Sequence, residues 1–226
     1  LKYASPHLAN GVNQFFKINS RYSKSINMEA TVAFLFPGQG SQIIGMGAAL
    51  ASESKSAKLV FEQVNEALSE DLFSIMREGP KDILQLTRNA QPAIFASSLA
   101  VIASIEERFG DIRKIASFAA GHSLGEYSAL AAAKSIDIAK AAKLLRIRGD
   151  AMQSATPVGV GAMAAILGSE IEQVESLIAS FNTTQSDEIV QIANDNSPGQ
   201  IVVSGHKNAV ETLCEMAKEK GIKKSL

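Results

Sequence analysis

Gly121-His122-Ser123-Leu124-Gly125 has the residue types and spacing of a nucleophile turn, G-x-S-x-G. The chemistry it suggests is acyl transfer through a serine ester. A short apolar run over residues 114–120 reads as a strand before it, and residues 124–133 read as a helix after it. A strand turning abruptly into a helix forces the central serine into strained backbone geometry. Glycine on both sides lets neighbouring backbone approach where a Cβ would stand in the way. The hydroxyl then stands at a helix N-terminus, whose free N–H groups and dipole favour an oxyanion. The plainer reading is a glycine-rich turn with a capping serine. The strand–turn–helix context favours catalysis.

A second glycine-rich turn, Phe36-Pro37-Gly38-Gln39-Gly40-Ser41-Gln42, follows an apolar run over residues 31–36. A phosphate cradle is one reading, but neither the G-x-x-x-x-G-K-[S/T] nor the G-x-G-x-x-G pattern is present. A second oxyanion donor is the better reading, because elbow enzymes draw one from a loop after an early strand. An ordinary β-turn is the third. An acyl-transferring serine also needs a base, usually histidine. The chain has three: His7, His122 and His206. His7 lies in the N-terminal stretch. His122 adjoins Ser123, and side chains diverge at a sharp turn, so it is expected to pack or hydrogen-bond beneath the elbow. His206 reads as a surface turn residue. No base for Ser123 is evident, and no metal site is expected.

Arginine completes the candidate set. A helix from Asp137, an N-cap, to about Met152 carries the apolar stripe Ile138, Ala141, Leu145, Gly149 and Met152. Arg146 and Arg148 flank that stripe on opposite sides. A half-buried guanidinium calls for a carboxylate or phosphate, whereas an exposed one is simply solvated. Periodicity alone does not choose between them.

The elements that must hold these groups follow an α/β pattern from Met28. A helix over residues 56–68 presents Val60, Val64, Ala67 and Leu68 on one face. Pro92 is expected in the first turn of a helix running to about Arg108, apolar nearly all round and therefore central. After Pro157 the rhythm becomes β-α-β-β-α-β, the split βαβ of a ferredoxin-like module. Its elements are a strand at 161–167, a helix capped by Ser169 with Glu172, strands at 188–193 and 200–204 around a polar turn at 194–199, and a helix at 207–220. A last strand opens at Ile222. Three segments result: a leader over 1–27, a large domain over 28–156 and a small domain over 157–226.

Composition agrees with a folded protein. Of the 226 residues, 46% are apolar, 20% charged and 6% aromatic, which excludes a disordered or fibrous chain. The net charge of -1 gives no overall basic field for nucleic acid. Residues 1–27 carry Lys2, Lys17, Arg21 and Lys24 with no acid, leaving 18 basic and 23 acidic groups in the rest. That leader reads either as a transit peptide or, more plainly, as translated upstream sequence. A single cysteine, Cys214, allows no internal disulfide and suits a reducing compartment. No apolar run approaches the ~18 residues that span a membrane.

Taken together, the chain from about Met28 to Leu226 resembles the malonyl-CoA:acyl carrier protein transacylases of bacterial-type fatty acid synthesis. The resemblance rests on the Phe36–Gln42 turn, on Asn89-Ala90-Gln91-Pro92-Ala93 and on Gly121-His122-Ser123-Leu124-Gly125-Glu126-Tyr127. It also rests on Arg148-Gly149 with Met152-Gln153, on Gly161-Ala162-Met163-Ala164-Ala165 and on Asn194 through Gly205. It implies an α/β fold: an α/β-hydrolase-like large domain, here incomplete, with an inserted ferredoxin-like small domain. It implies that Ser123 takes the malonyl group and that the N–H groups of Gln39 and Leu124 form the oxyanion hole. Arg148 would pair bidentately with the malonate carboxylate. Gln91, Met152 and an Asn194/Asn196 loop would line the pocket. The family's base histidine lies in a Pro-Phe-His-Ser stretch. Leu226 falls just short of it, so the base is absent from this chain and the last strand is expected to be truncated.

The implied reaction is ping-pong, with no bound cofactor. Malonyl-CoA and the phosphopantetheine thiol of acyl carrier protein are the substrates. Acyl carrier protein is the implied partner, with no nucleic acid or membrane, in a cytoplasmic enzyme that is monomeric when full length. Three other readings stand beside it. An acyltransferase domain of a polyketide synthase is a variant. A serine esterase or thioesterase shares the elbow but needs no arginine at the acyl site. A non-catalytic module would explain the absent base.

Overall fold

The computed structural model describes residues 32–157, 159–182 and 187–225. The leader and Met28 lie outside the described residues. The chain is mixed α/β and divides into two units, Leu1–Gln153 and Ser154–Leu226.

In the first unit, β1 (Ala33–Phe36) pairs in parallel with β2 (Phe118–Gly121), in a register that sets Phe36 opposite Gly121. Both turns singled out in the sequence therefore leave the same end of two neighbouring strands. That is the carboxyl end, where open α/β sheets hold their sites. Phe34 and Phe36 pack toward the core, while Leu35 and Phe118 stand exposed on the other face. The strand expected at 114–120 is shorter than its apolar run. Asp111 accepts from the Arg113 amide and caps a 3-10 turn, Ile112–Lys114, which uses up the start of that run.

Five helices connect β1 to β2: α1 (Ala48–Glu53), α2 (Lys55–Leu68), α3 (Leu72–Glu78), α4 (Lys81–Gln85) and α5 (Thr87–Phe109). Ser54 caps α2 by accepting from the Ala57 amide at 3.1 Å. The helix then buries Ala57, Val60, Phe61 and Val64. Each large apolar side chain contributes about 1.5–3 kcal/mol when buried, more than an isolated helix of this length can supply by propensity. Against α2 lies α5, with Ile94, Phe95, Leu99 and Ile102 fully buried. It is central, as expected, but it starts at Thr87, so Pro92 lies inside the helix rather than in its first turn. An interior proline donates nothing to the carbonyl four residues back, here that of Arg88. Arg146 Nη1 donates to that oxygen at 2.6 Å instead, and the helix continues through the proline.

After β2 come α6 (Gly125–Ala132) and α7 (Ile138–Ala155). Asp137 accepts from the Lys140 amide at 2.7 Å and so caps α7. That hydrogen bond holds the Asp137 carboxyl below the usual range.

In the second unit the order is β3 (Gly161–Leu167), α8 (Ile171–Asn182), β4 (Val190–Ser197), β5 (Gln200–His206), α9 (Lys207–Glu219) and β6 (Lys223–Ser225). The strands form an antiparallel sheet in the order β4-β5-β3-β6. Ile166, Ile201, Val203, Leu177, Phe181 and Leu213 fill its core, with Cys214 buried among them. Two details differ from expectation. The Ser169 hydroxyl is buried and caps nothing, while Gln173 accepts from the Glu170 amide at 3.1 Å, so the capping residue has moved one position on. Asn194 and Asn196 lie on a strand, not in a loop. Register shifts between Ile192 and Asn194, and between Asp195 and Ser197, let β4 keep pairing through polar residues, leaving only Pro198 and Gly199 to turn the hairpin.

Candidate active site

Ser123 sits between β2 and α6 with a φ of 56°, in the left-handed region that a side chain rarely adopts. The flanking glycines make that geometry possible. A Cβ on Gly121 would collide with the backbone of Gly125, and a Cβ on Gly125 would collide with the Phe36 carbonyl oxygen. The turn is thus pressed against the end of β1. The His122 amide donates to that same Phe36 oxygen at 3.1 Å. Beneath its exposed ring lies Gly38, where an added Cβ would come within 2.6 Å of His122 Nδ1. Gly38 is needed there for close approach rather than for an unusual φ.

The two glycine-rich loops are therefore neighbours. Within the first, the Gly40 amide donates to Gln42 Oε1 at 2.8 Å and the Ser41 hydroxyl donates to the Gly38 carbonyl at 3.0 Å. The Gln39 side chain turns away to donate to Thr87 Oγ1, 2.7 Å distant at the start of α5. Nothing in the sequence marked Thr87 as the anchor for this loop. Leu124 is fully buried behind Ser123.

Arg148 reaches this turn from α7. Its Nη2 donates to Ser123 Oγ at 3.0 Å and its Nη1 donates to Gln91 Oε1 at 2.6 Å. The Gln91 amide in turn donates to Met152 Sδ at 3.3 Å. Ser123, Arg148, Gln91 and Met152 are thus brought together by four elements of one unit. Ser123 is exposed, Arg148 half-buried and Gln91 fully buried, so the guanidinium is held from behind with its serine side open to solvent. An electrophile reaching Ser123 would meet a fixed positive charge beside it.

The other flanking arginine has a different environment. Arg146 is 8% exposed and its Nη2 donates to Glu70 Oε2 at 2.6 Å. Burial pushes its pKa down from the usual arginine value. Arg88 pairs with Asp150 at 2.7 Å, and that hydrogen bond pushes the Arg88 pKa up. The sequence reading missed Glu70, Arg88 and Asp150. The one signal for them was Pro92, which had to release a carbonyl somewhere.

The remaining candidates lie apart from this cluster in the chain. Asn194 and Asn196 belong to β4 of the second unit. His206 ends β5, and its Nδ1 accepts from the Ile189 amide at 2.9 Å, so the ring closes a strand end rather than a turn. His7 lies outside the described residues. Among the described residues no group of three His, Cys, Asp or Glu side chains could hold a metal ion. No helix among them is long and apolar enough to cross a membrane.

Residues 33–226 match the family model described as the acyl transferase domain. A malonyl CoA-acyl carrier protein transacylase of Bacillus subtilis is 46% identical over 195 residues, which covers 86% of this chain and 60% of the relative. The crystal structure of an acyl-carrier-protein-S-malonyltransferase from Bartonella henselae is 51% identical. It superimposes with a TM-score of 0.78 over 86% of this chain and 61% of that one. A malonyl-transacylase solved in complex with a type II PKS acyl-carrier protein is 40% identical, with a TM-score of 0.77 over 86% of this chain and 61% of the other. The chain thus spans about 60% of the length of the curated relatives it matches.

Proposed function

The chain belongs to the acyl transferase domain family, and from that premise we propose that it moves a malonyl group from malonyl-CoA to the phosphopantetheine thiol of acyl carrier protein. The observation that carries the reading is the guanidinium of Arg148, 3.0 Å from Ser123 Oγ. A permanent cation beside an acylated serine selects an acyl group that ends in a carboxylate.

Ser123 Oγ attacks the thioester carbonyl while a general base takes its proton. The N–H groups of Gln39 and Leu124 are assigned to the oxyanion, as the resemblance implies, and the engagement of the Gly40 amide with Gln42 Oε1 is compatible with that assignment. The C–S bond breaks, CoA departs as the thiol, and the malonyl ester remains on Ser123. The carrier-protein thiol then attacks the ester and the serine regains its proton. Arg148 holds the free carboxylate with both Nη groups. Gln91 and Met152 line the acyl pocket. None of His7, His122 and His206 is assigned as the base. No bound cofactor takes part.

The fold assigned with this reading is an α/β-hydrolase-like large domain over 28–156 and a ferredoxin-like small domain over 157–226. The strand order β4-β5-β3-β6 supports the latter. We place the full-length protein in the cytoplasm as a monomer. A serine esterase would share the elbow, but an ester of a neutral acid gains nothing from Arg148. Incubation of the natural protein with radiolabelled malonyl-CoA should leave label on Ser123, which holo acyl carrier protein then removes. Absence of label, or label that persists in Ser123→Ala, overturns the reading.

A further inference from the structure

The proline inside α5 leaves the Arg88 carbonyl without its helical donor, and Arg146 supplies one. Its Nη1 donates to Arg88 O at 2.6 Å and to Asn89 Oδ1 at 2.7 Å, while Nη2 donates to Glu70 Oε2 at 2.6 Å. Four residues on, Asp150 Oδ1 accepts from Arg88 Nε at 2.7 Å. The helices α5 and α7 touch between these groups and the substrate arginine. A Cβ on Gly149 would fall 2.6 Å from Arg88 Cα. At ~100° per residue, Arg146 and Asp150 project to one side of that contact and Arg148 and Met152 to the other. One side of α7 grips Arg88 and Asn89, and the other grips Gln91. The two helices are held from both flanks around a backbone-to-backbone contact.

We infer that Arg146, with Glu70 and Asp150, is a positioning clamp that sets the roll of α7 against α5 and thereby carries Arg148 to the Ser123 hydroxyl. The inference rests on the reading of Arg148 as the carboxylate-selecting group. Side-chain tips lie about 5–6 Å from a helix axis, so a roll of roughly 10° displaces them by ~1 Å. Displacements of that size at a reacting centre can cost about a hundredfold in rate. An apolar residue in place of Arg146 would leave the Arg88 carbonyl and the Glu70 carboxylate without this donor. It could not hold the Arg88 carbonyl and the Glu70 carboxylate at fixed points, and those two contacts fix the roll.

The test is the selectivity of Ser123 acylation, measured as the ratio of kcat/KM for malonyl-CoA to that for acetyl-CoA in the natural full-length protein. A variant that merely folds less well lowers both rates by the same factor and leaves the ratio unmoved. Arg146→Lys, which keeps the charge but loses the fork, should lower the ratio at least tenfold. Asp150→Asn, on the half-exposed flank, should lower it about threefold. Where Arg146→Lys fails to fold, Asp150→Asn alone decides. A ratio within twofold of the unaltered protein in every folded variant, whatever the absolute rates, overturns the inference. Failure of the unaltered protein to be acylated at all defeats the acyl-transfer reading, and this inference with it.

Discussion

Arg148 touches Ser123 and Gln91 with two different nitrogens of one guanidinium, Nη2 at 3.0 Å and Nη1 at 2.6 Å. The serine hydroxyl is the exposed partner and the glutamine the buried one. The Gln91 contact fixes the plane of the fork, and the serine contact is the one an incoming anion can replace. Resting geometry thus keeps a charge-assisted donor on the serine hydroxyl.

Arg148→Ala should therefore separate two acyl groups. Losing a desolvated charge-assisted pair costs roughly 1.5–3 kcal/mol, about a ten- to hundredfold change in rate. That loss should fall on malonyl transfer and spare acetyl transfer, in parallel measurements of kcat/KM. Equal loss for both would mean that Arg148 serves the fold. A loss of stability should accompany it, because Gln91 Oε1 is left buried without its donor, and an unsatisfied buried acceptor costs about 1–3 kcal/mol.

The backbone at Ser123 makes a prediction about stability that needs no substrate. A non-glycine residue at positive φ carries a strain of roughly 1–2 kcal/mol, which glycine does not. Ser123→Gly should be more stable than Ser123→Ala by about 1 kcal/mol in urea unfolding, net of the greater chain entropy of glycine. Both should lose acylation completely. Equal stability of the two would contradict the φ of 56° at this position.

The elbow was legible because its chemistry is local. Gly121, Ser123 and Gly125 sit within five residues, and the steric demand that selects them acts over that distance. The central helix was equally legible, since α5 is apolar nearly all round. What the sequence did not disclose depends on partners far along the chain. Pro92 reads as a helix start until Arg146, on another helix, is seen to take the carbonyl it frees. Periodicity put Arg146 and Arg148 on opposite flanks of one stripe. Only the path of α5 across Gly149 assigns Glu70 to one and Ser123 to the other. Asn194 and Asn196 look like turn residues because they are polar, and the bulges that keep them in β4 are a property of its pairing with β5.

Gly125→Ala should be among the most damaging single substitutions in the first unit. The added methyl would meet two carbonyl oxygens, those of Phe36 and Pro37, and backbone atoms at the end of β1 cannot move aside as a side chain could. Overpacking of this kind costs about 1–3 kcal/mol or more. The expected result is a large fall in the urea midpoint with loss of acylation. Gly40→Ala is the control. Open space surrounds that position, so only its φ of 104° resists the change.

One part of the acid sensitivity should be traceable to a buried serine. Ser54 is 4% exposed; its hydroxyl accepts from the Ala57 amide and donates to Glu107 Oε2 at 2.6 Å. The hydrogen bond from Ser54 is the leading cause that holds the Glu107 carboxyl below its usual range. A carboxyl depressed in the folded state contributes stability that is complete above its unfolded value, ~4.3, and that disappears as pH falls through the folded value. Ser54→Ala removes two things with different pH dependence. The helix cap is lost at every pH, at a cost of about 0.5–2 kcal/mol. The support to ionised Glu107 is lost only where Glu107 is ionised. The stability gap between the natural protein and Ser54→Ala should therefore be widest near neutral pH. It should narrow toward the cost of the cap alone as the pH falls below the unfolded value and through the lowered folded one. Urea midpoints of the two proteins across that range would show it, and a gap independent of pH would remove Glu107 from the account.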